Sequence, residues 1–309
     1  MGVLDGKALA GEIRERVTQE VARLKEATGR VPGLTVLMVG DDPASRIYVR
    51  TKHKVAEKLG IRSELVVLPG DSSQSQVLAG LRRLNRDDRV DAILVQIPLP
   101  GHLDTWGILD EIDPSKDVDR FHPLNLGRVL TGQADLFPCT PAGVVRLLDH
   151  YGVDPAGMDA VVVGRSFIVG KPLAAMLTNR HATVTVCHTR TRDLADRTRS
   201  ADLVVAAAGR PGIIEPDMVR SGAILVDVGT NYLDDRADVE RMCPPEQMKR
   251  FERRGSAIAG DIHWKAWEKS AWYTPVPGGI GPMTVAMLMQ NTLELFRDRG
   301  RRLEWPGMS

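Results

Sequence analysis

Ala160-Val-Val-Val-Gly164-Arg-Ser-Phe-Ile-Val-Gly170-Lys-Pro172 is the stretch that decides the fold class. Its apolar, mostly β-branched start reads as a buried strand, Gly164 as the tight turn after it, and Gly170 with Pro172 as a helix opening. A strand that passes through a glycine turn into a helix presents backbone N–H groups and the positive end of the helix dipole to a phosphate. This is the architecture of a dinucleotide phosphate loop, although the spacing is not GxGxxG and the loop alone is a weak signal. NAD sites commonly carry an acid about 20 residues further on, for the ribose hydroxyls. Here the corresponding strand end reads Cys187-His188-Thr189-Arg190-Thr191, and Arg165 lies in the loop itself. Hydroxyl and guanidinium groups in those places favour a 2′-phosphate, so NADP is expected rather than NAD; a pair of unrelated surface arginines is the alternative.

Further short runs rich in Val, Ile and Leu recur at 34–39, 65–68, 92–97, 183–186, 203–207 and 224–228. Helical patterns lie between them at 43–59, 74–84, 171–180 and 191–199, the alternation of an α/β chain with parallel strands. At 309 residues there is room for two domains. The expected boundary is near Cys139-Thr-Pro141, where Pro141 suits the first turn of a helix over 142–149. A last helix over 283–297 is expected to return to the first domain. The division is therefore 1–140 plus 282–309 for an N-terminal α/β catalytic domain, and 141–281 for a Rossmann-like domain. The charged segment 233–254, with Pro244-Pro245, reads as a loop with at most one short helix.

Composition is globular, with 43% hydrophobic and 26% charged residues. A net charge of +1 offers no basis for a nucleic-acid or membrane partner. Three widely separated cysteines, Cys139, Cys187 and Cys243, suggest neither a disulfide framework nor a metal site. With no apolar signal core at the start and no run of about 20 apolar residues, the expectation is a cytoplasmic protein.

In the first half, Asp42 is an N-cap, Pro43 an N1 residue and Gly60 a terminator. Ala44, Tyr48, Val55 and Leu59 form an apolar stripe at helical spacing, with Lys52 in its middle. Lys52 either snorkels to the edge of that stripe or lines a cavity, where desolvation would lower its pKa towards a value useful for proton transfer. Gln96 is a polar residue in an apolar run, at the carboxyl strand end where open α/β sheets bind ligands; a hydrogen bond to a neighbouring loop would explain it equally well. In Lys116-Asp-Val-Asp119-Arg-Phe-His122, Asp119 or His122 is placed to bind a polar ring, although an Asx turn is the commoner use. Tyr273-Thr-Pro-Val-Pro277-Gly278-Gly-Ile-Gly281-Pro-Met-Thr284 carries more Pro and Gly than a turn requires and reads as a rigid binding loop.

Together Tyr48-Val-Arg-Thr-Lys52, Leu94-Val-Gln-Ile-Pro-Leu-Pro100, Lys116-Asp-Val-Asp119, Cys139-Thr-Pro141, the Gly164 loop, Asp227-Val-Gly229 and the 273–284 loop resemble the bifunctional methylenetetrahydrofolate dehydrogenase/methenyltetrahydrofolate cyclohydrolase family along nearly the whole chain. The resemblance implies a homodimer that serves one-carbon metabolism, with folate in an interdomain cleft. It implies Lys52 as the catalytic lysine, Tyr48 as its orienting and ring-stacking neighbour, Gln96 as its hydrogen-bond partner and Asp119 as the pterin anchor. Leu99, Pro277, Gly278 and Gly281 would line the folate site. Gly164, Arg165, Ser166, Gly170, Thr189, Arg190 and Thr230 would meet NADP. The pattern departs at Arg120 (usually Gly), Phe167 (usually Asn) and His263 (usually Asp), and the 233–254 segment is long. A one-activity paralog, a shikimate-type dehydrogenase and a non-catalytic NADP-binding protein are the competing readings.

Overall fold

The computed structural model describes residues 1–304, so the last five residues of the first domain as expected from sequence lie outside the described residues, as does the side chain of Ala44. The chain divides into two compact units. One comprises Gly11–Arg128, Ala134–Cys139 and the chain from Val285 onward; the other comprises Met1–Ala10, Val129–Gln133 and Thr140–Thr284.

The first unit is built on a parallel three-stranded sheet in the order Arg62–Leu68, Gly33–Val39, Ala92–Val95. Every residue of Gly33–Val39 and of Ala92–Val95 is buried, as continuous apolar runs require when both sheet faces are covered. The expected strand over 92–97 stops at Val95, although Gln96 N still donates to Leu37 O at 2.8 Å. A single parallel bridge, Ile93↔Asp117, lays the Lys116–Asp119 segment alongside this strand. The helix Pro43–Lys58 begins where Asp42 accepts from Ser45 N at 2.7 Å, and Gly60, at φ 78°, turns the chain after it. The helix Gly6–Thr28 had no clear signal in its charged sequence, but Ile13, Val17 and Val21 form a buried row at four-residue spacing. From Val285, the long helix Ile280–Glu304 belongs to this unit, with Leu288, Met289, Asn291, Thr292 and Leu293 buried.

The second unit holds a six-stranded, all-parallel sheet in the order Gly2–Val3, Trp272–Tyr273, Ile224–Asp227, Leu203–Ala206, Asp159–Val163, Thr183–Cys187. The two outermost additions are two-residue strands, too short to show a period of two in sequence. The 233–254 segment corrects the loop expected there. It folds into helices Arg236–Met242 and Glu246–Arg254, next to an antiparallel pair, Asn231–Leu233 with Ala257–Ala259. These elements close over Val239, Cys243, Ala257 and Ala259, while Arg236, Glu240, Glu252, Arg253 and Arg254 are exposed. Short helices with one narrow apolar row are difficult to separate from charged loops by periodicity. No helix among the described residues is long and apolar enough to cross a membrane.

Candidate active site

In the first unit the helix Pro43–Lys58 aims Lys52 inward. The buried row is Ser45, Val49, Ala56 and, just past the helix, Leu59, and Lys52 falls in that row at half-buried depth. This corrects the expected stripe: Tyr48 is 42% exposed and Val55 only half-buried. Both rows contain apolar residues, and packing chose between them. Lys52 Nζ donates to Gln96 Oε1 at 3.1 Å, while Gln96 Nε2 donates to Ile97 O at 2.7 Å. The glutamine amide is thus tied at one end to its own loop and presents its acceptor to the lysine. Leu99 follows in the same loop, half-buried.

The two carboxylates of the 116–122 loop divide their work. Asp117 Oδ2 accepts from His122 N at 2.8 Å and from Asn125 Nδ2 at 2.9 Å, which makes Asp117 the loop tie. His122 Nδ1 accepts from Leu124 N, at the start of the helix Pro123–Leu130. Asp119 is not spent in this way. Burial pushes its carboxyl above the usual carboxylate range, the Lys52 charge draws it back down, and Asp117 pushes it up again. Cys139 hydrogen-bonds Asp119, and burial holds its thiol well above the usual range. Asn291 Nδ2 donates to Val118 O and Phe137 O, both at 3.0 Å, and fastens the backbone next to Asp119.

In the second unit, Gly164 has φ 131°, and a Cβ there would run into Ala207 O; a Cβ at Gly170 would run into Gly164 O. The strand, turn and helix Gly170–Thr178 therefore approach one another as only glycines permit. Ser166 Oγ accepts from Val169 N at 3.1 Å, and Arg165, Ser166, Thr189, Arg190 and Thr230 are exposed. The His188–Thr191 turn is tied by His188 N to Thr191 Oγ1 at 2.8 Å. The Pro-Gly loop lies in this unit, where Lys7 N donates to Gly278 O at 2.8 Å, Gly278 has φ 121°, and Pro277 and Gly281 are exposed.

Two domain models match the chain. The catalytic domain of tetrahydrofolate dehydrogenase/cyclohydrolase covers residues 4–119, and its NAD(P)-binding domain covers residues 138–300. The chain belongs to the tetrahydrofolate dehydrogenase/cyclohydrolase family. It is 48% identical to the bifunctional protein FolD of Moorella thermoacetica over 96% of this chain and 98% of that protein. Among solved structures it resembles the bifunctional FolD enzyme of Campylobacter jejuni (TM-score 0.88, 44% identity, 97% of this chain and 99% of that one). The Trypanosoma brucei FolD, solved with NADP cofactor and an inhibitor, matches at TM-score 0.88 and 39% identity over 97% of this chain and 98% of that one.

Two departures from the tetrahydrofolate dehydrogenase/cyclohydrolase pattern acquire a physical account. His263 is buried, and its Nδ1 accepts from Lys265 N at 3.2 Å, so it caps the turn Trp264–Lys269 as an acid there would. Arg120 has φ 60°, in the left-handed region that glycine adopts most readily, so the glycine expected there from the resemblance would suit this backbone. Sequence reasoning also missed a buried carboxylate pair. Asp227 accepts from the backbone N of Gly229, Asp261 and Ile262, while Asp261 accepts from Ala208, Gly209 and Arg210. The motif Asp227-Val-Gly229 was visible, but nothing local indicates that it locks against Asp261.

Proposed function

We propose that this chain oxidises 5,10-methylenetetrahydrofolate to the 5,10-methenyl form with NADP, and then hydrolyses that product to 10-formyltetrahydrofolate. The observation that carries the reading is Lys52 Nζ at 3.1 Å from Gln96 Oε1, at the carboxyl end of the strand Ala92–Val95, within a catalytic domain of this family. The glycine cradle at Gly164 and Gly170 fits a dinucleotide phosphate, with Arg165, Ser166, Thr189, Arg190 and Thr230 as the exposed groups that would hold it. NADP, when bound, supplies the hydride acceptor, and no protein base is needed to break the C–H bond.

Hydrolysis is where the lysine acts. Water adds to the methenyl carbon and loses a proton to leave a hydroxyl; the hydroxyl proton then leaves as the C–N5 bond breaks and N5 takes up a proton, so one proton is released overall. Lys52, oriented by Gln96, moves those protons. Asp119 anchors the pterin, exposed Tyr48 stacks on the ring, and Leu99 lines the folate site. We take the active species to be a homodimer in the cytoplasm. Support comes from the edge strand Arg62–Leu68, which shows exposed Leu65 and Val67, and from three free, buried cysteines.

The test is to mix purified protein with 5,10-methylenetetrahydrofolate and NADP or NAD, and to follow NADPH (NADH in the NAD runs), the methenyl intermediate and 10-formyltetrahydrofolate. NADP-dependent turnover that ends in 10-formyltetrahydrofolate faster than spontaneous hydrolysis is expected. Methenyl product that decays only at the spontaneous rate would remove the second activity.

A further inference from the structure

Arg120 is an arginine on glycine-like backbone, and its side chain goes inward. It is 6% exposed; Nη1 donates to Pro114 O at 3.1 Å, and Nε has no hydrogen-bond partner. A buried guanidinium N–H without an acceptor is costly, so the site calls for one. Arg120 lines a cavity of about 510 Å³ in the first unit, a volume in the range of small-molecule sites. Arg128 lines the same cavity and bears on Arg120 with like charge, and Leu124, Leu136 and Leu295 add apolar wall.

The acids in the cavity narrow the ligand. Asp91 lies between Arg30 at 3.5 Å and Arg299 at 3.6 Å, and Asp113 is engaged by Ser115 N and Oγ at 2.8 and 2.6 Å. Asp135 and Asp298 also line it and oppose any multiply charged anion. What fits is one negative charge with planar geometry on the fork of Arg120 and a short apolar body against the leucines. Lys52, Gln96 and Asp119 do not line this cavity. Asp91 precedes the strand Ala92–Val95 and Gln96 follows it, so about 16 Å of extended chain lies between the two ends.

We propose that this cavity binds a small monocarboxylate through Arg120, at a site distinct from the one holding Lys52 and Gln96. Because Arg120 directly follows Asp119, a ligand on its guanidinium steadies the peptide that carries Asp119. The carboxylate has two sources, a free acid or the γ-carboxylate of a folate's glutamate tail, whose α-carboxylate would stay outside the cavity.

The experiment is calorimetric titration of the intact protein with butyrate, neutral butyramide and inorganic phosphate, on the wild type, Arg120→Gly and Arg120→Lys. Butyrate is expected to bind once per chain, with butyramide and phosphate at least tenfold weaker. Arg120→Gly, which matches the left-handed backbone, should weaken butyrate at least tenfold, and Arg120→Lys should not restore it, for want of the fork. NADP affinity within twofold of wild type would show that the variants are folded. Prior saturation with tetrahydrofolate assigns the source: butyrate excluded means the folate tail, butyrate unaffected means a free acid. No butyrate binding at 20 mM, equal binding of butyramide or phosphate, or unchanged affinity in Arg120→Gly overturns the proposal.

Discussion

Lys52 Nζ and Gln96 Oε1 meet at 3.1 Å across 44 residues of sequence, one on the inward row of a helix and the other at the end of a buried strand. Gln96 is itself held by Ile97 O, so the lysine receives a fixed acceptor rather than a mobile one. Replacing Lys52 by Met should therefore lower cyclohydrolase activity by ~10²-fold or more while leaving NADP binding measurable. A Lys52→Met enzyme that forms 10-formyltetrahydrofolate at the wild-type rate would remove the lysine from the mechanism.

Gln96→Leu should act through Lys52. The single variant is expected to lose much of the hydrolysis rate, and Lys52→Met/Gln96→Leu should be little worse than Lys52→Met alone, because residues acting as a unit are not additive. Fully additive losses in a double-mutant cycle would show that the two side chains work independently.

Gly164→Ala places a Cβ against Ala207 O on backbone at φ 131°. The strain should cost roughly 1–3 kcal/mol and displace the turn, so both melting temperature and NADP affinity should fall. Unchanged NADP affinity, measured by fluorescence titration, would separate this loop from the cofactor.

Asn291→Leu keeps the side-chain volume and removes the donor to Val118 O and Phe137 O. Loss of these buried bonds should destabilise the protein by about 1–3 kcal/mol and, through the peptide next to Asp119, raise KM for the folate more than it lowers kcat. A lowered melting temperature with KM intact would make Asn291 structural only.

Burial, and next the neighbouring Asp261 carboxylate, push the Asp227 carboxyl up to about 8. Its folded pKa lies above the unfolded value, so its contribution to stability is complete below about pH 4 and is lost as pH rises to about 8. The slope from this group is at most about 1.4 kcal/mol per pH unit. Denaturant melts between pH 5 and 9 should show stability falling with pH, and Asp227→Asn should flatten the curve. An equal slope in both proteins would assign the pH dependence elsewhere.

Much of the fold was legible because its signals are local. Runs such as Val161–Val163 and Val36–Val39 are buried on both sides and so read as parallel strands, and Asp42 with Pro43 marked a helix start that the structure keeps. The two-residue strands Gly2–Val3 and Trp272–Tyr273 were not, since their pairing partners supply all their order. The helices of 233–254 were hidden by charges on their outer faces.

By itself the sequence determined the α/β class, the phosphate-loop turn and the candidates Lys52, Gln96 and Asp119, because periodicity and glycine placement are properties of neighbouring residues. Only the tertiary structure decided which row of the helix Pro43–Lys58 faces inward, that Asp117 ties its loop while Asp119 does not, and that Asn291 reaches Val118 across 173 residues. It also decided that Arg120 turns into a cavity of its own. Those outcomes depend on which buried polar groups find partners, and partners distant along the chain leave no local pattern to read.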